Sequence, residues 1–174
     1  VVTTNNKLIH DKMIRFRSNG IIRDKSMHWK YDINEIGQNY RLSDINCALG
    51  VSQLRNVKKF INFRKKIFDT YTEKLKKYND VINLFEYNKC NTSSFHLFLI
   101  SIDFKKIKKT KNKFMKYMLD NNIMCQFHYI PIYKFKNFNK KKKLSFKNVE
   151  YYFKNTVSLP IYYNLKEKQQ SYII

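Results

Sequence analysis

Apolar positions along this chain change period several times. Residues 1–5 are rich in β-branched side chains and read as a short strand. Over residues 7–18, Leu8, Ile9, Met13, Ile14 and Phe16 recur on or near one helical face, and Gly20 supplies the stop. Residues 21–38 hold no sustained period and read as a loop ending at Gly37. From Ser43, a helix N-cap, apolar residues recur at helical spacing through Ile45, Ala48, Leu49, Leu54, Val57, Phe60, Ile67, Phe68, Tyr71 and Leu75. That stretch is too long for one ordinary globular helix, so a break is expected near Gln53–Asn56.

From residue 81 strand and helix patterns interleave. Strands are expected at Val81–Leu84, His96–Ile102, Met124–Ile130 and Val157–Leu159, the last two closed by Pro131 and Pro160. Helices are expected at Lys105–Leu119, Asn148–Phe153 and Leu165–Ile174. The alternation predicts an α/β class built on one small sheet. Residues 134–147, rich in Lys, Asn and Phe, read as a mobile excursion.

Composition sharpens this picture. The chain has 174 residues, 43% hydrophobic and 16% aromatic, enough for a packed core. No apolar run approaches the ~20 residues of a membrane span, so no membrane partner is expected. The net charge is +22, yet the cations are 29 Lys and 6 Arg. Nucleic-acid readers rely on Arg for bidentate contacts. The lysines read as solvated helix faces, and no specific nucleic-acid partner is expected. The compact run Lys140–Lys143 falls in the expected excursion. Cys47, Cys90 and Cys125 are odd in number and unrelated in spacing, without a C-x-x-C or Cys/His zinc cluster. They read as free thiols of a cytoplasmic protein, with Cys47 and Cys125 in the core.

The background of Lys, Asn, Ile, Tyr and Phe is what AT-rich codons supply. Residues that resist such drift answer a physical need. All three glycines (Gly20, Gly37, Gly50), the single Ala48, the single Trp29 and all six arginines fall within residues 15–64. Trp29 reads as packing rather than a sugar platform. Gly50 and Ala48 inside a helix point to close approach of another backbone, since Gly there costs about 1 kcal/mol.

Those residues carry a family resemblance. Gly37-Gln38-Asn39-Tyr40-Arg41-Leu42-Ser43-Asp44-Ile45 through Ala48-Leu49-Gly50 resembles the signature segment of the DegT-type sugar aminotransferases, fold-type I enzymes that use pyridoxal phosphate (PLP). Arg17-Ser18-Asn19-Gly20-Ile21-Ile22-Arg23-Asp24 resembles the family's R-S-H-G-I-x-R-D, with Asn19 in place of His. His96-Leu97-Phe98, Gln126-Phe127-His128-Tyr129-Ile130-Pro131 and Ser158-Leu159-Pro160-Ile161-Tyr162 match further family segments in order. The segments are most like those of members acting in pseudaminic-acid synthesis, which aminate C4 of a UDP-linked 4-keto-6-deoxy sugar.

The resemblance implies the C-terminal part of a fold-type I aminotransferase. Residues 1–55 would end the large PLP domain, long helices would link, and 56–174 would form a small α+β C-terminal domain. The absent initiator Met fits a chain truncated at its front. The family's cofactor-bearing lysine and its pyridine-binding acid lie upstream of a strand like that at Val1, so no catalytic residue is assigned here. By resemblance Asn39 reaches the PLP phosphate across a homodimer with composite sites. Arg41 contacts the partner's phosphate or substrate, or instead pairs with Asp44 or Glu35. Gln126, Phe127, His128 and Tyr129 meet the UDP-linked keto sugar, with glutamate as amino donor. Along a strand, alternation would put Gln126 and His128 on one face and Phe127 and Tyr129 on the other. His96 reads as a satisfied core histidine, while His10 and His28 carry no partner spacing. Three alternatives stand beside this reading: an aminotransferase for another keto nucleotide-sugar, a relic of the family that no longer catalyses, and a basic nucleic-acid-binding domain.

Overall fold

The computed structural model describes residues 1–27, 29–85, 93–138 and 146–174. The chain divides into two compact units, Val1–Arg55 and Asn56–Ile174. Among the described residues no helix is long and apolar enough to cross a membrane.

In the first unit, helix α1 (Lys7–Arg17) starts at Asn6, whose side-chain oxygen accepts from the amides of Leu8 (2.9 Å) and Ile9 (3.2 Å). It ends where Asn19 and Gly20 turn left-handed, φ 64° and 71°. Strands β1 (Ile21–Arg23) and β2 (Tyr31–Ile33) then form an antiparallel hairpin, Ile22 opposite Asp32. The loop expected over 21–38 therefore contains a hairpin. Its three-residue strands are too short to show a period, and none of their residues is buried. Residues 1–5, expected as a strand, form none, because no ladder partner meets them among the described residues. Among the described residues of this unit only Gly20 is buried.

Helix α2 (Asp44–Leu75) runs 32 residues without the expected break. Sharp kinks need Pro, an inserted group or a π-bulge; α2 has no Pro, and a lone Gly50 costs stability without breaking the ladder. Apolar residues of its first half face outward, with Ile45 83% and Leu54 71% exposed. Cys47, expected in the core, is exposed as well. Beyond its own stretch of helix, none of the described residues comes within 4 Å of a Cβ added at Gly50, so none makes the close approach expected there.

The second unit holds the core. Strands β3 (Ile82–Leu84), β4 (Phe98–Ile102) and β5 (Thr156–Leu159) form an antiparallel sheet with β4 central. Register pairs Ile82 with Ile102 and Leu99 with Ser158. Ile67, Tyr71 and Leu75, four residues apart on α2, are buried in one cluster with Phe98, Ile100, Ile102, Val157 and Leu159. The Tyr71 and Phe98 rings lie 4.8 Å apart, and the fully buried Tyr71 donates its hydroxyl to Pro160 O at 2.9 Å. Burial pushes the Tyr71 hydroxyl pKa up. Helices α3 (Lys111–Asp120), α4 (Lys147–Asn155) and α5 (Glu167–Ile173) complete the unit. Gln170 ties α5 to α2 through a buried 2.7 Å bond to Ile67 O.

Helix α3 begins six residues later than expected. Asp103 Oδ1 accepts from the amides of Lys105 (3.1 Å) and Lys106 (3.0 Å), and Lys108 sits at φ 52°, which makes a turn. Thr110 then caps the helix. The strand expected over Met124–Ile130 shrinks to one bridge, Gln126 opposite Ser158. The next bonded pair toward one end would need an N–H from Pro160, which has none. Toward the other end, the His128 carbonyl accepts from Tyr152 Oη (3.2 Å) instead. His96, expected in the core, is exposed and precedes β4. The lysines include exposed i,i+4 pairs with Asp, among them Lys7–Asp11, Lys65–Asp69 and Lys116–Asp120, as on solvated helix faces. Cys90, His28 and Lys140–Lys143 lie outside the described residues, as does half of the excursion expected over 134–147.

Phe98→Ala should cost about 3–5 kcal/mol in denaturant unfolding, as expected for emptying a packed core. Tyr71→Phe should cost only about 1 kcal/mol, the net worth of one hydrogen bond. Equal losses for the two would contradict the division between packing and polar tie.

Candidate functional site

The first unit is organised around a backbone crossing. The segment 37–40 lies along the end of α1: Gln38 N donates to Phe16 O (2.6 Å), Asn19 N to Gln38 O (3.1 Å) and Tyr40 N to Arg17 O (3.0 Å). Ser18 and Asn39 form an isolated bridge. Two glycines permit this. A Cβ on Gly37 would stand 2.3 Å from Gly20 N and 2.8 Å from Phe16 O, and one on Gly20 would collide with the Glu35 carbonyl oxygen. Asn19 replaces the family's His at a positive φ, a region where Asn and His are both enriched among non-glycine residues. The substitution therefore suits the backbone.

This crossing pins the main chain of Asn39 and leaves its side chain exposed. Arg41, two residues on, is also exposed. Glu35 is bound to Arg15, Nε to Oε1 2.5 Å, and no ion pair joins Arg41 to Glu35 or Asp44 among the described residues. A neutral amide and a guanidinium on one anchored segment form a donor set that fits phosphate oxygens.

In the second unit Gln126–Tyr129 hangs on the edge of β5. Gln126 N donates to Ser158 O (3.1 Å) and Ser158 N to Gln126 O (2.7 Å). His128 Nδ1 lies 2.6 Å from Ser158 Oγ. Phe127 packs inward, edge-to-face with Phe153 at 5.7 Å. The Lys111 ammonium stands over both rings, 4.6 Å and 4.9 Å from their centres, and donates to Phe153 O at 2.7 Å. Burial holds Lys111 below the usual lysine range. Gln126 is exposed, as is Tyr129 at 73%, and the Tyr129 ring meets His128 edge-on at 4.6 Å. Nearby, Glu150 accepts from Lys134 (3.0 Å) and Tyr133 (2.8 Å), bonds that hold its carboxyl below the usual range. Cys125, beside the segment, is buried, and its thiol is pushed up to about 11. Thus the side chains of Gln126 and Tyr129 are exposed and that of His128 is half-buried, whereas the Phe127 ring packs on Phe153. A cavity of about 660 Å³ lined by Met124, Pro160, Tyr162, Leu165 and Tyr172 includes none of these four residues.

Lys111, Tyr152 and Ser158 support this segment without having been singled out from the sequence. Ser158 stands in the quoted S-L-P-I-Y motif, but only the bridge to Gln126 reveals what its hydroxyl meets. Lys111, expected on a solvated helix face, instead lies part-buried over the two rings, and Tyr152 carries no local signal.

Comparison with known proteins agrees with the resemblance. The profile of the DegT/DnrJ/EryC1/StrS aminotransferase family matches residues 1–174. A UDP-4-amino-4,6-dideoxy-N-acetyl-beta-L-altrosamine transaminase from Campylobacter jejuni is 32% identical over 99% of this chain and 45% of its own length. The solved structure of Helicobacter pylori PseC, an aminotransferase involved in the biosynthesis of pseudoaminic acid, superposes with TM-score 0.86. It is 28% identical and covers 98% of this chain and 45% of the other. The PLP form of a putative sugar aminotransferase from Streptococcus pneumoniae shares the fold, with TM-score 0.77, 20% identity and coverage of 98% and 42%. The chain thus spans about half the length of the relatives it matches.

Gly37→Ala should destabilise the first unit, by about 1–3 kcal/mol for forced overpacking. In hydrogen exchange of the full-length protein, the amides of Gln38 and Tyr40 should lose protection, while those of β4 keep theirs. Unchanged protection at Gln38 would contradict the crossing.

Proposed function

The chain belongs to the DegT/DnrJ/EryC1/StrS aminotransferase family, and we propose that it forms part of a PLP-dependent transaminase for a nucleotide-linked sugar. The substrate proposed is a UDP-linked 4-keto-6-deoxy sugar of pseudaminic-acid synthesis, aminated at C4, with glutamate as donor. The observation that carries this reading is the 32% identity to the Campylobacter jejuni transaminase across nearly the whole chain. The two signature segments fold so that Asn39 and Gln126–Tyr129 are anchored by their main chains, with side chains of both still exposed.

PLP, when bound, supplies the electron sink for amino transfer. The residues here act around it. The Asn39 amide would donate to a phosphate oxygen, and the Arg41 guanidinium would add a charge-assisted bond there or on the substrate. Neither can carry the cofactor covalently or take up a proton from the substrate. Gln126, His128 and Tyr129 would bind the nucleotide-sugar by side chains and Phe127 by its backbone, holding it in one orientation.

A homodimer with composite sites, working in the cytoplasm, completes the proposal. Asn39 would then serve the partner's cofactor. Apolar Ile45, Leu49 and Leu54 are exposed on different sides of the first half of α2, which also holds Ala48 and Gly50, and this supports burial of the helix in the intact protein.

Hybrid dimers of the full-length protein test the composite site. Mixing an Asn39→Ala subunit with one lacking the cofactor-bearing lysine should recover part of the activity, because one site per hybrid keeps both groups. No recovery despite verified subunit exchange would place Asn39 in cis. Gly50→Ala gives an independent measure. On an uncovered helix it should stabilise by about 1 kcal/mol. Destabilisation in the full-length protein is expected, since a packed face leaves no room for the methyl; stabilisation would argue that α2 stays open.

A further inference from the structure

Beside the 126–129 segment lies the hydroxyl of the buried Ser158. Ser158 is 4% exposed and is fixed on both flanks of β5, by Leu99 across the ladder and by both main-chain bonds to Gln126. Among the described residues its side chain has one partner, His128 Nδ1 at 2.6 Å. The main chain of His128 is held separately by the Tyr152 hydroxyl at 3.2 Å. Ring and backbone are therefore both tied down. Among the described residues nothing bonds to the other ring nitrogen, Nε2, and the ring is only half-buried.

The single bond decides where the ring proton sits. A serine hydroxyl carries one hydrogen that needs an acceptor. If Nδ1 bore the proton and donated to Ser158, the hydroxyl hydrogen would be left buried and unpaired. The cost of such an orphan disfavours that arrangement by roughly tenfold or more. With Ser158 donating to Nδ1, the buried hydroxyl hydrogen is satisfied and the neutral ring carries its proton on Nε2. Thr156, two residues earlier on β5, shows the contrast: its buried hydroxyl finds no partner.

We propose that Ser158 is a positioning residue that fixes His128 with its proton on Nε2, so that this ring offers an N–H donor to an acceptor oxygen of the nucleotide-sugar. The inference rests on the reading of Gln126–Tyr129 as the substrate segment. It adds that His128 binds and does not act as a proton acceptor, because its outward nitrogen has no free lone pair.

The full-length enzyme, labelled with 15N at histidine, gives the primary test. The His128 signal is identified by its loss in His128→Gln. Long-range proton–nitrogen correlation of the wild type should show a pyridine-type Nδ1 and a pyrrole-type Nε2. Ser158→Ala should move both toward the averaged values of a free imidazole, and Ser158→Thr, which restores a hydroxyl, should bring them back. In steady-state kinetics Ser158→Ala should raise the KM for the nucleotide-sugar by roughly three- to tenfold, the worth of one net hydrogen bond. The kcat and the KM for glutamate should stay within twofold. A wild-type proton on Nδ1 overturns the proposal, and this measurement stands even if Ser158→Ala misfolds. A spectrum and a KM both unmoved by Ser158→Ala overturn it too. If the spectrum is as expected but His128→Ala leaves the nucleotide-sugar KM unchanged, the substrate role of the segment fails and the binding role of the ring falls with it.

Discussion

The passage of one backbone across another at Gly20 and Gly37 is the constraint on which the first unit depends. Hydrogen bonds from Phe16 to Tyr40 draw two segments together until neither glycine has room for a methyl. Among the described residues no apolar core assists, since only Gly20 is buried in Val1–Arg55. Here a glycine is required by space, and at Gly20 by a positive φ as well. That explains why these two residues persist in a sequence otherwise filled with Lys and Asn. The same crossing delivers Asn39 and Arg41 in a fixed register, so their exposure does not imply loose placement.

The second unit solves the problem differently. Its three-strand sheet is buried along β5 and most of β4, with α2 supplying Ile67, Tyr71 and Leu75. A strand buried on both faces leaves its hydroxyls little choice of partner. Ser158 meets the chain crossing the sheet edge, and that chain is the 126–129 segment. Packing and recognition thus share one strand. The Lys111 ammonium over Phe127 and Phe153 holds the same segment through its aromatic ring.

Much of the fold was legible where period and length coincide. Helix α1, the core-facing half of α2, α4, α5 and the inner strands follow their apolar spacing within a few residues. The failures have physical causes. The β1–β2 hairpin has three-residue strands with no buried side chain, so no alternation was written into it. The strand expected at Met124–Ile130 lost its ladder to Pro160, thirty-odd residues away in sequence. The unbroken α2 shows that length alone is no argument for a kink. Family motifs pointed to Asn39, Arg41 and Gln126–Tyr129, but not to how each side chain is used. That Phe127 turns inward, that His96 lies outside the core and that Ser158 meets His128 all depend on pairings between distant segments.

The contrast between the two units has a consequence for biogenesis. The first unit emerges from the ribosome ahead of the second, yet its own residues provide almost no burial to hold it together. The second brings a core of Tyr71, Phe98, Val157 and their neighbours. Counting these residues alone, the unit made first must await its packing partners. During that interval Ile45, Leu49 and Leu54 stand uncovered, which makes the nascent α2 a natural binding stretch for chaperones.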